Sequence, residues 1–490
     1  MRYLCLDVGT TCCKAQVFNE TGEILFYQTK EYPLRKDGLD VYVDVNAITS
    51  TLKGLIKSAS EIGDISSIAV SSFGEAFVML DKDDNILFYP MLYTDTRGEE
   101  QAKRIKEKFS EEFLYTTTGI LPHAMYSLSK VLWIKENYPD LFEKADKVLL
   151  IGDYVGYVLS GKRVIDYGLA ARTGAFDIIN KKFSEEILNE FNINKNLFSN
   201  PMPTGSIVGC VKEDIAKELN LSKNCKLVLG SHDQICATLG AGVINAGEAA
   251  DGMGTVECIT ALFDSPPKNL EFGRMGYPAV PFAKDGVYCT YILSYSSGSL
   301  VNWFKNSIIH GYVGEKQNFF EYIEDKIDDK TNELLLLPYF AGCANPYQDG
   351  HAKGAILNLT LDSTDSDVYR AILEGTSFEM KLNLDIVKDF GVNIKKVVAT
   401  GGGANSDKWL QIKADITGLN LKTLRSSEGG LCGVAILQAV ALGQFKDLES
   451  ARDKFVRYKK EFKPKKENCN QYVNKYEKYK KIYKTLMEMY

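Results

Sequence analysis

Several common signatures are missing from this sequence, and each absence removes a class of site. No Gly-x-x-x-x-Gly-Lys-Ser/Thr run occurs in its 490 residues, so phosphate binding, if present, cannot use a P-loop. No Cys-x-x-Cys or His-Glu-x-x-His spacing is found, and the four histidines (His123, His232, His310 and His351) lie far apart, which removes the ordinary zinc frameworks. Eleven cysteines is an odd count without paired spacing. The adjacent Cys12 and Cys13 are poorly placed to bond to each other in a strand, so the thiols read as reduced core residues. No apolar run approaches the ~20 residues of a membrane span, and charge interrupts the amino terminus too early for a signal peptide. The net charge of -6 is spread without a basic face, so neither nucleic acid nor membrane is an expected partner. A soluble cytoplasmic protein is expected.

What the chain does contain is alternation. With 45% hydrophobic and 25% charged residues, it exceeds one ordinary core, and two domains follow. Residues 2–8 read as an apolar strand, Gly9-Thr10-Thr11 as a turn, 12–19 as a second strand and 24–28 as a third. Helical periodicity follows at 46–59, then a strand at 65–70 and amphipathic helices around 99–113 and 127–137. Near residue 247 the strand, Gly-Thr turn, strand pattern returns at Gly254-Thr255, as a duplicated unit would leave it, although two unrelated hairpins would share as much. The glycine-containing stretch 237–247 reads as a flexible hinge. The expectation is an α/β chain with an N-terminal domain at 1–243, a C-terminal domain at 244–450, and terminal helices at 451–490 whose tyrosines pack on the body while their lysines are solvated.

Three segments carry chemistry. Asp7-Val8-Gly9-Thr10-Thr11-Cys12-Cys13-Lys14 places a carboxylate at a strand end, then a turn whose amides and hydroxyls suit phosphate oxygens, then a cation; Asp7 suits a water-bridged Mg²⁺. Alone this is an ordinary turn, but Gly254-Thr255 gives it a partner, and two facing hairpins clamp a polyphosphate. Gly401-Gly402-Gly403-Ala404-Asn405-Ser406 follows the strand 396–400 and precedes a helix, as a nucleotide-binding loop does. A dinucleotide fingerprint is not satisfied, because Ser406 stands where its third glycine belongs. Gly230-Ser231-His232-Asp233-Gln234 ends an apolar strand, where Asp233 is placed to take a proton from a substrate hydroxyl or simply to start a helix.

In this order, and over essentially the whole length, these segments resemble the FGGY family of carbohydrate kinases. Met125-Tyr126-Ser127-Leu128-Ser129-Lys130-Val131-Leu132-Trp133 fits that family's first signature. Gly354-Ala355-Ile356-Leu357-Asn358-Leu359, with Tyr369-Arg370-Ala371-Ile372-Leu373-Glu374-Gly375, fits the second. The resemblance implies two actin-like, ribonuclease H-like domains hinged around a central cleft, and transfer of the γ-phosphoryl of MgATP to a sugar or polyol hydroxyl. It implies Asp233 as general base, Gln234 as a substrate contact, and Asp7 near the metal. Gly9, Thr10, Thr11, Lys14, Gly254 and Thr255 fall on phosphate-binding turns, and Gly298, Asn302, Gly402, Gly403 and Ser406 fall where relatives hold ADP.

The acceptor loops depart from the family's known branches. Xylulokinase-like members carry Met-His, and glycerol kinases Arg-Glu, where this chain has Gly74-Glu75. Glu75 suits two sugar hydroxyls, its rival reading being a solvated loop carboxylate. Asp95 suits hydroxyl binding with Arg97 bracing it, or the two form an exposed ion pair. Phe73 and Phe77 read as core. The block Asp166 to Thr173 is closer to xylulokinase and gluconate kinase relatives, so a ketopentose such as D-xylulose leads, with another ketose, gluconate, glycerol or erythritol behind it. The rivals from other classes are an ATP-gated sensor without turnover and a dehydrogenase. Assembly is left open, a homodimer included.

Overall fold

The computed structural model of the chain describes residues 1–38, 40–309, 319–327, 330–425 and 429–488. Two sheets organise it, and their strand order repeats. In the first, Ile24–Glu31, Cys12–Asn19 and Arg2–Val8 form an antiparallel meander; Ser67–Ser72 and Lys226–Val228 continue it in parallel, and Ile207–Cys210 closes the edge antiparallel. In the second, Tyr288–Ser294, Glu257–Phe263 and Glu248–Met253 form the meander; Lys396–Thr400 and Asn420–Leu424 follow in parallel, and Tyr458–Phe462 ends it antiparallel. The two halves therefore share one topology, as the repeated Gly-Thr hairpin suggested.

Parallel neighbours need a crossover, and helices supply it. Helix Val45–Ser60 buries Ile48, Leu52, Leu55, Ile56 and Ala59, one stripe at three- and four-residue spacing, and the Asp44 carboxylate accepts from the amides of Asn46 and Ala47 at its start. The 25-residue helix Asp365–Asp389 does the same in the second half, opened by a capping box of Thr364 and Asp367.

Three expectations are corrected. The helix read at 99–113 is two helices, Glu99–Lys108 and Glu111–Thr118, because the Ser110 side chain caps the second and restarts it. The stretch 237–247 is no free hinge. Its first residues complete helix Asp233–Gly240, and a Cβ on Gly240 would lie 1.7 Å from the Gly429 carbonyl oxygen of helix Gly429–Ala441. That second helix lies on the first sheet, where Gln438 Oε1 accepts from Ser67 Oγ at 2.6 Å and its Nε2 donates to the Leu4 carbonyl at 3.2 Å. Last, the segment after 450 is not helical throughout: Tyr458–Phe462 joins the second sheet between helices Leu448–Phe455 and Lys466–Met487. Tyr472, Tyr476, Tyr479 and Tyr483 are buried as expected, but so is Lys475, paired with buried Glu374.

Candidate active site

Asp233 begins a helix at the carboxyl end of the Lys226–Val228 strand, and a bridge between Ser72 and His232 fastens that turn to the neighbouring strand. Its side chain is 39% exposed, so solvent reaches it although protein surrounds it. Burial by the surrounding protein, reinforced by the nearby Asp7 carboxylate and by Glu75, pushes the Asp233 carboxyl up to about 7, against the Gln234 amide and Arg172, which favour its charge. The same electrostatics place it at the second half: the Cys258 thiol, in the second hairpin, is pushed up to about 12 by burial, Asp233 and Asp251. Gln234 follows on the first turn of the helix, half-buried.

Asp7 stands opposite Lys14 in the antiparallel register, and the turn between them is closed by the Gly9 amide donating to the Cys12 carbonyl at 2.9 Å. Thr10 is half-buried and Thr11 exposed on that turn. In the second half a cavity of about 720 Å³ is lined by Gly254, Thr255, Gly298, Asn302, Gly402, Gly403 and Ser406, with Phe320, Glu324, Tyr369 and Trp409. Three segments expected to hold a nucleotide thus converge from positions far apart in sequence. Gly298 must be glycine for this: a Cβ there would lie 2.6 Å from the Gly254 carbonyl oxygen, which accepts from the Gly298 amide at 3.0 Å. Gly9, Thr10, Thr11 and Lys14 do not line this cavity; they sit on the first hairpin, beside Asp7.

The loop at Gly74 and Glu75 holds what sequence reasoning missed. Glu75 is not a solvated loop carboxylate: it is buried, in the left-handed region at φ 64°, with its Oε1 bound by the Arg172 guanidinium. The cation absent at position 74 comes from 97 residues away. Gly74 leaves room for the His232 ring, which a Cβ would approach to 3.1 Å. Arg172 is buried between the rings of Tyr126 (5.2 Å) and Tyr291 (5.6 Å), the latter from the second half. Burial and Arg172 hold His232 well below its usual value, so it is neutral, with Nε2 3.2 Å from Asp233 and Nδ1 3.3 Å from the Tyr291 hydroxyl. Arg172, Tyr126 and Tyr291 line a second cavity of about 480 Å³, which His123 and Met125 also reach.

Asp95 and Arg97 are not brought to this cluster. Arg97 grips the Asp95 carboxylate with Nε (2.9 Å) and Nη2 (2.5 Å), reaches Asp40 at 3.0 Å and Tyr42 at 2.7 Å, and lies over the Trp133 ring. The pair is a partly buried brace for the Leu34–Asp37 and Asp40–Val43 hairpin, neither the exposed pair nor the free hydroxyl acceptor of the two sequence readings. Phe73 and Phe77 are core residues. His310 lies outside the described residues. Among those described, no group of three His, Cys, Asp or Glu side chains forms a metal cage, and no helix is long and apolar enough to cross a membrane.

The sequence profile of the FGGY family of carbohydrate kinases, N-terminal domain, matches residues 2–240, and its C-terminal domain matches 254–442. The chain belongs to the FGGY family. As a member it is a sugar phosphotransferase with that family's two-domain fold. A xylulose kinase of Bacillus subtilis (strain 168) is 28% identical, the match covering 99% of this chain and 97% of that one. A gluconokinase of the same organism is 27% identical over 91% and 89%. Among solved structures, a xylulose kinase from Rhodospirillum rubrum superposes with a TM-score of 0.91 at 20% identity, covering 100% of this chain and 99% of that one. These FGGY relatives differ in acceptor, being named for xylulose and for gluconate.

Proposed function

We propose that the chain transfers the γ-phosphoryl of MgATP to a hydroxyl of an uncharged ketose, a ketopentose such as D-xylulose first, with Asp233 as general base. The observation that carries this is the solvent-reached position and raised carboxyl of Asp233, between the Glu75 and Arg172 cluster of the first half and the second hairpin. A carboxylate titrating near the operating pH is suited to take a proton as the acceptor oxygen attacks phosphorus. Glu75 Oε1 is held by Arg172, so Oε2 is the atom we assign to the acceptor's hydroxyls, with Gln234 beside it. Gly74, which has no side chain, lets the His232 ring and the Arg172 stem pack against the loop that carries Glu75. Gly254, Thr255, Gly298, Asn302, Gly402, Gly403 and Ser406 hold ADP or ATP in the larger cavity; Gly9, Thr10, Thr11 and Lys14 approach the phosphates from the first hairpin.

The donor set fits magnesium better than a protein-caged metal: Asp7 is one hard oxygen ligand beside a polyphosphate site. The ion, when bound, would neutralise developing charge on the phosphoryl oxygens. Positioning by the two hairpins and exclusion of water by closure of the halves supply the rest.

An uncharged ketose is favoured over a sugar acid because the cations at the second cavity are already matched. Arg172 is neutralised by Glu75, and Arg274 by Glu111 and Glu271. Burial keeps His123 below its usual value. Among the described lining residues, only exposed Lys106 is left to meet a carboxylate. The sequence match to a xylulose kinase over nearly the whole length of both chains supports the pentulose. The test is ADP release with MgATP against pentuloses, hexuloses, tetritols, glycerol and gluconate, with Asp233→Ala as control. Turnover of one pentulose, lost in the variant, is expected. Preference for gluconate would overturn the acceptor assignment, and retained turnover in the variant would overturn the base.

A further inference from the structure

We propose that Lys413 is a positioning residue for the nucleotide: its single buried ammonium ties together three of the segments that wall the larger cavity. Lys413 lies on helix Asp407–Thr417 and is 0% exposed. Its Nζ donates to Asp251 Oδ2 at 2.7 Å and to Glu257 Oε1 at 2.6 Å. Those carboxylates stand on either side of the Gly254-Thr255 turn, one on each strand of the second hairpin. The other oxygen of Glu257, Oε2, accepts from Ser297 Oγ at 2.7 Å, and Ser297 is the residue before helix Gly298–Trp303. The third wall is Lys413's own helix. Its first residue follows Ser406, whose hydroxyl caps the Trp409 amide at 3.0 Å, and the Trp409 ring lines the cavity with the Lys413 ammonium 5.6 Å from its centre.

An apolar side chain at 413 would pack this helix as well, since well-packed hydrophobic groups commonly match a buried ion pair in stability. What the ammonium adds is direction. The ammonium holds two carboxylates within hydrogen-bond distance of one point, and one of them, Glu257, passes the constraint to a helix start through Ser297. Two buried carboxylates directly behind a turn meant for phosphate would repel it, and Lys413 screens them from it. Asp251 Oδ1 has no hydrogen-bond partner among the described residues.

The inference rests on reading the 720 Å³ cavity as the nucleotide site, and the experiment separates the two. ADP affinity of the full chain is measured by calorimetry, alongside melting temperature, for wild type, Ser297→Ala, and the charge-neutral triple variant Lys413→Met, Asp251→Asn, Glu257→Gln. The triple variant removes the tether without leaving buried charges exposed to one another. Expected is a loss of ADP affinity of about tenfold or more in the triple variant, and a smaller loss in Ser297→Ala at nearly wild-type melting temperature, since displacements of about 1 Å at a binding wall cost this much. Wild-type affinity in Ser297→Ala together with wild-type affinity in a folded triple variant would reduce the triad to packing. If the triple variant does not fold, Ser297→Ala decides alone. Failure of wild type itself to bind ADP would instead refute the nucleotide reading of the cavity.

Discussion

Asp233 makes two opposite demands on pH, and both can be measured. A base must be ionised to work, and burial pushes this carboxyl up to about 7 from an ordinary 3.8. The acceptor kcat/KM should therefore fall tenfold per pH unit below about 7, so that at pH 5 it is about a hundredfold below its plateau. An unperturbed aspartate would show almost no loss there. Stability runs the other way. Because the folded state binds the proton more tightly than the unfolded one between pH 3.8 and about 7, stability decreases as pH rises through that window and stays reduced above it. Asp233→Asn mimics the protonated group at all pH values. Its melting temperature should match wild type near pH 3.5 and exceed it above pH 7, while turnover falls by 10²- to 10⁴-fold, the usual contribution of a general base. The assays are a pH series of initial rates with saturating MgATP and parallel thermal melts. A flat rate profile down to pH 5, or an Asp233→Asn protein that melts below wild type at pH 8, would refute the raised carboxyl and with it the assignment of the base.

Other outcomes follow from single contacts. Glu75→Gln should raise the acceptor KM with ADP affinity unchanged, and both Glu75→Gln and Glu75→Ala should cost about 3 kcal/mol in urea unfolding, since either leaves the Arg172 charge buried without its counter-ion; equal loss of both affinities would count against the acceptor role. Gly298→Ala should weaken ADP binding by tenfold or more, because its Cβ would meet the Gly254 carbonyl oxygen at 2.6 Å, and leave acceptor KM in place; kinetics with each substrate varied in turn will tell. Gly240→Ala should destabilise by about 3 kcal/mol or more, since the new methyl has no space against the Gly429 carbonyl; an unchanged melting temperature would show that the two helices part easily. Lys475→Met should cost only about 2 kcal/mol, the loss of one charge-assisted hydrogen bond, because Arg370 still pairs with buried Glu374, read by denaturant midpoint.

The strand meanders, the Gly-Thr turns and the Ser127–Asn137 helix were legible because each is a local pattern: period two, a turn residue, or period 3.6. The segments that line the 720 Å³ cavity were legible for the same reason, the turns at Gly254, Gly298 and Gly402 each carrying its own glycine. Partnerships across the chain were not. Nothing in Gly74-Glu75 announces that its cation is Arg172, and a lysine in the middle of an amphipathic helix, such as Lys413, reads as solvated until two carboxylates from another hairpin are found around it. The strand Tyr458–Phe462 was hidden by Lys459, Lys460 and Glu461, whose charges are tolerable because this is an edge strand and they face water.

Helix Gly429–Ala441 reaches the first sheet only after the chain has built almost all of the second. A fragment ending near residue 243 would carry Asp233 and the first hairpin, yet Ser67 and the Leu4 carbonyl would face solvent where Gln438 belongs. Cut there, the two pieces should be inactive apart and recover activity only on mixing. During synthesis, the first sheet cannot receive this helix until most of the second half has left the ribosome.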